Sequence, residues 1–142
     1  MSSPVTVVQC DLSDMDIAIE DFTRNLGPTT LNFLNYNRGQ LRFTIHADGN
    51  TVEVLPRDGE ECVFETYELA VAVDRAFVAV AVAQFNYDVA KAQREPRSLR
   101  VQLLLARYTA LREATKAVRA FSTALALFEE ALVEEGDMIL SV

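Results

Sequence analysis

Hydrophobic positions crowd the middle of the chain. Residues 69 to 85, LAVAVDRAFVAVAVAQF, are apolar almost throughout, with Asp74 and Arg75 set inside the run. The Val-Ala alternation suits a strand, but alanine, leucine and glutamine favour a helix, and neither glycine nor proline interrupts residues 60 to 95. The pattern predicts a helix from Thr66 to Arg94, with Thr66 as N-cap and Glu68 in the first turn. A charged run of about 17 residues is short for a bilayer crossing, so no membrane segment is expected. On a 3.6-residue wheel this helix carries two apolar stripes. Tyr67, Val71, Val78, Val82, Phe85 and Val89 form one, and Leu69, Val73, Phe77, Val80 and Tyr87 form the other. Such a helix is expected to lie between two layers. Asp74 falls on the first stripe and needs a partner, for which Arg100 and Arg107 are the candidates.

Pro96, in the stretch REPRS, disfavours helix at Glu95 and predicts a turn between two helices. The second helix is expected from Ser98 to Glu135, closed by Gly136. Its predicted seam is Arg107, Leu111, Ala114, Val118, Phe121, Leu125, Phe128 and Leu132, spaced alternately by four and three. At 1.5 Å per residue the second helix would be roughly 55 Å long and the first roughly 43 Å. The overhang leaves Phe128 and Leu132 in need of cover, from the N-terminal region or from a second copy. With the two-striped first helix, this predicts a homodimer through the helical layer.

The first 65 residues differ in kind. SDMDIAIEDFTRNL reads as a short acidic amphipathic helix, with Ser13 as cap, Asp14 and Asp16 in its first turn and Met15, Ile19, Phe22 and Leu26 on one face. Residues 28 to 38 fit either a helix or a strand. QLRFTIHADGNTVEVLPR predicts a β-hairpin around Asp48-Gly49 or Gly49-Asn50. Leu41, Phe43, Ile45, Val52 and Val54 share its apolar face, and Arg42, Thr44, His46, Thr51 and Glu53 its polar face. CVFET, residues 62 to 66, is a candidate third strand.

The expected fold is therefore α+β: a small antiparallel β-hairpin or three-stranded sheet packed on a long C-terminal helical hairpin. One domain over 1–142 is expected, with an acidic helical region (1–38), a β-hairpin region (39–65) and the helical hairpin (66–142).

Charge narrows the function. The formal net charge is −8 and the estimated pI about 4.6, which disfavours general nucleic-acid or anionic-membrane binding and points to a basic protein partner. Half of the residues are hydrophobic and a quarter charged, as in a globular chain. The start of the chain shows no basic and apolar leader pattern, so the expected location is cytoplasmic. Two cysteines, Cys10 and Cys62, are too few for a disulfide framework and show no metal-ligand spacing. Carboxylates beside Cys62 disfavour its thiolate. The one histidine, His46, lacks a signalled nucleophile or oxyanion site, and no glycine-rich phosphate loop is present. No enzyme, cofactor or metal is expected.

Glu129, Glu130, Glu134, Glu135 and Asp137 crowd the end of the last helix, where acid opposes the macrodipole. With Asp14, Asp16 and Glu20 they form the expected surface for a basic partner. Lys91 to Arg119 is the basic part of the chain, and Arg112, Lys116 and Arg119 share one helical face. That face supplies the alternative, a nucleic-acid-binding helical subunit. The expected function is a non-catalytic protein-binding module, an acidic homodimeric adaptor or inhibitor. Its general form is similar to that of secretion chaperones, toxin-immunity proteins and phage-encoded inhibitors, a likeness of form alone.

Overall fold

The structure, a computed structural model, describes residues 20, 23–46, 51–57 and 61–140. In chain order it contains α1 (Pro28–Tyr36), a 3-10 turn (Arg38–Gln40), β1 (Leu41–Ile45), β2 (Val52–Pro56), α2 (Glu61–Ala92) and α3 (Arg97–Leu140). The chain forms two compact units, residues 1–68 and 69–142.

In the first unit, most of the predicted acidic helix, Asp14 and Asp16 included, lies outside the described residues. Its end is visible at the Glu20 carbonyl, which accepts from the Arg24 N–H at 3.1 Å and the Thr23 hydroxyl at 3.0 Å. Residues 28 to 36 resolve to helix. Gly27 caps it in an extended conformation and Pro28 occupies the first turn, where its missing N–H costs nothing. Thr30, Phe33, Leu34 and Asn37 are buried at i, i+3, i+4 and i+7, one face of a helix. Asn37 ends α1 by donating both its backbone N–H and its side-chain amide to the Phe33 carbonyl, each at 3.0 Å.

β1 and β2 pair antiparallel, with Phe43 opposite Val54 and Ile45 opposite Val52. This is the register set by a two-residue connection at Asp48-Gly49, although residues 47–50 themselves lie outside the description. Leu41, Val52 and Val54 are buried, as the alternation requires. The opposite face is not wholly solvated, because Thr44 is 7% exposed.

Residues 62 to 66, expected as a third strand, are helical and belong to α2. Val63, Thr66, Tyr67, Ala70 and Val73 are buried at helical spacing, so period 3.6 prevails over a short apparent alternation. Thr66 is no cap. It sits inside the helix and donates its hydroxyl to the Cys62 carbonyl at 2.7 Å. Among the described residues the sheet has two strands.

The second unit is a helical hairpin. Its turn is a Schellman motif: the Glu95 N–H donates to the Ala90 carbonyl at 2.9 Å and the Arg94 N–H to the Lys91 carbonyl at 3.2 Å. Arg94 takes the left-handed conformation, φ 53°, that this motif demands. Pro96 then starts α3, its carbonyl accepting from the Arg100 N–H at 3.1 Å. α3 runs on through Gly136 to Leu140, so the expected stop at Gly136 is not made.

Buried or half-buried positions recur every three or four residues along both helices. On α2 they include Val73, Ala76, Val80, Ala83, Tyr87 and Ala90; on α3, Leu103, Arg107, Ala110, Ala114, Ala117, Phe121, Ala124, Leu125, Phe128 and Leu132, a mixture of small and large side chains. Alanines thus return every seventh residue, at 76, 83 and 90 and at 110, 117 and 124. Small residues on facing stripes let helix backbones approach closely.

Two outcomes follow from this packing. Ala83→Leu, which forces bulk into the alanine line, should lower stability by about 1–3 kcal/mol in urea unfolding. Arg94→Gly removes the cost of a side chain at positive φ and should raise it by about 0.5–1 kcal/mol with an unchanged denaturant slope.

Candidate functional site

The candidate residues fall into four places. On the β-hairpin, His46 Nε2 lies 3.3 Å from Glu53 Oε2, a diagonal cross-strand pair that is partly solvated. A carboxylate beside an imidazole can orient a base, yet the neighbouring groups on this face are Arg42 and Thr44 rather than a nucleophile. Cys62, in the first turn of α2, is an exposed thiol outside any disulfide. Among the described residues no group of three His, Cys, Asp or Glu side chains is placed to hold a metal ion.

The second place is the expected ion pair within the hairpin. Asp74 is half-buried and engaged with a partner. Arg107 is half-buried too. Arg100 has its Nε buried without a hydrogen-bond partner, so no carboxylate is reached through that atom.

The basic face of α3 is the third. Arg112 lies 6.0 Å from the centre of the Tyr108 ring, within cation–π range. Lys116 Nζ is 3.4 Å from Glu113 Oε1 on the preceding turn, a solvated pair of small energetic weight. Arg119 is exposed. These contacts hold two of the three cations along the helix surface.

The fourth place is the outer surface of the hairpin. Glu129, Glu130 and Glu134 are exposed; Glu135 and Asp137 follow on the same helix. Of the predicted seam, Phe128 is buried at 2% exposure, and Phe121, Leu125 and Leu132 are half-buried. Leu111 is 41% exposed and Val118 is exposed as well. Ala114 of the same seam is buried, and Ala110 and Ala117, one position before Leu111 and Val118, are half-buried.

Val101, Leu104 and Tyr108, which the expected seam did not include, are exposed at heptad spacing with its Leu111 and Val118, Tyr108 at 60%. α2 has its own outward stripe of Val78, Val82 and Phe85, the last 66% exposed. No helix among the described residues is long and apolar enough to cross a membrane. Comparison of the chain with protein-family models, with curated proteins and with solved structures finds no match in any of the three.

If the His46–Glu53 pair only ties two strands together, His46→Ala should lower stability by less than about 1 kcal/mol in thermal unfolding. A larger loss would mean that the imidazole holds more of the hairpin than this one contact.

Proposed function

We propose that the protein is a non-catalytic protein-binding module, acidic and homodimeric, that works as an adaptor or inhibitor by engaging a basic partner. The observation that carries this reading is the run of exposed apolar side chains along both long helices, next to an exposed acidic stretch on α3. Contiguous apolar surface on a soluble helix is costly to leave in water and marks an interaction face. Carboxylates at the rim of such a face favour basic partners and speed their association.

A second reading is supported by the exposure of Arg112, Lys116 and Arg119 on one face of α3: these residues track a nucleic-acid backbone. The net charge of −8 and the Lys116–Glu113 pair weigh against it. Its signature is binding that weakens steeply as salt rises.

The test reverses charge at the acidic stretch. Glu130→Lys, Glu134→Lys and Glu135→Lys together should reduce capture of basic protein from lysate at least tenfold, with an unchanged circular dichroism spectrum. Unaltered capture removes this stretch from the binding surface. Association with random-sequence DNA at low ionic strength, lost on removing Arg112, Lys116 and Arg119, would favour the second reading.

A further inference from the structure

We propose that the basic partner of the acidic stretch is a second copy of this chain, docked through the outward face of α3 with the two helices antiparallel. The inference rests on the protein-binding reading above and names the occupant of its surface.

Shape comes first. Val101, Leu104, Tyr108, Leu111 and Val118 form one exposed line, and Val133 continues it toward the far end of the helix. Thr115 and Ser122 fill the intervening positions with small polar groups. A straight heptad line on a helix accepts another helix better than it accepts a loop or strand. The exposed line from Val101 to Val118 is about 26 Å long, and α3 carries charged stretches on both sides of it.

Charge selects the occupant and its direction. α3 is basic over its first half, with Arg97, Arg100, Arg107, Arg112, Lys116 and Arg119 against Glu113 alone, and acidic from Glu129 onward. A parallel copy would set like charges level with each other. An antiparallel copy matched end to end sets Glu130 level with Arg107 of its mate and Glu134 level with Leu103, inside the basic half. The same alignment brings Val133 level with Leu104 and sets Val118 beside the two-fold axis. It also accounts for acid at a helix C-terminus, where the helix's own dipole disfavours it. The neighbouring copy presents the compensating cations.

The experiment uses the full chain with Cys10→Ser and Cys62→Ser, single cysteines on α3 and a short bis-maleimide. Light scattering of the uncrosslinked protein should give twice the chain mass. Val118→Cys, near the two-fold axis, should link to itself. Leu104→Cys should not, because its two copies stand roughly 40 Å apart. A mixture of Leu104→Cys and Val133→Cys chains should give a linked pair that neither gives alone. A dimer in which Leu104→Cys links to itself overturns the antiparallel arrangement and leaves the dimeric binding module standing. A monomer at 100 µM overturns this inference outright. Capture of basic protein by that monomer would preserve the protein-binding reading, and its failure to capture any would end both. Unchanged circular dichroism of each variant shows that folding is not the cause.

Discussion

Two helices lying side by side can each hide one stripe, and in this hairpin alanine recurs every seventh residue within both. Ala76, Ala83 and Ala90 on α2 and Ala110, Ala117 and Ala124 on α3 are buried or half-buried. Small facing residues bring backbones close but bury little area each, at about 25 cal/mol per Å². Several larger apolar side chains lie on the outside, where Phe85 and Tyr108 are mostly in solvent. The hairpin keeps Phe128 and recurring alanines inside and leaves Phe85 and Tyr108 outside.

The first unit solves its packing differently. It is small and mixed, with Phe33 and Leu34 from α1, Leu41 and Val54 from the β-hairpin and Val63 and Tyr67 from the start of α2 buried together with polar Thr30, Asn37 and Thr66. Where their bonds are seen, these polar groups are answered locally, Asn37 and Thr66 each donating to a carbonyl four residues back. Such bonds let a polar side chain enter a core without a distant partner. This unit has aromatic bulk inside, whereas the hairpin wears much of its own outside.

The β-hairpin was legible because two independent signals agree: alternation on both strands and an Asp-Gly pair at the connection. The long helices were legible from uninterrupted helix formers, though the ends were not. Residues 62 to 66 mimic a strand over five positions, and only the longer spacing Val63, Thr66, Tyr67, Ala70 betrays the helix. Gly136 looks like a stop, yet apolar Met138, Ile139 and Leu140 follow it and the helix continues. Of the expected seam of α3, Ala114 and Phe128 are buried, while Leu111 and Val118 are exposed in the single chain, as a seam shared with a second copy would also leave them. Arg94 gave no sign of its left-handed backbone, since arginine has no preference for that conformation.

The Schellman turn has a kinetic meaning as well. Residues on either side of it are brought together across a very short loop, so the first contacts between α2 and α3 need little ordering of the intervening chain. The hairpin can close from Ala90 and Glu95 outward, each added layer resting on the one before. Contacts farthest from the turn join the segments most distant in sequence. Closure there is slowest, and the last contacts made on folding are the first released in the native state's spontaneous openings.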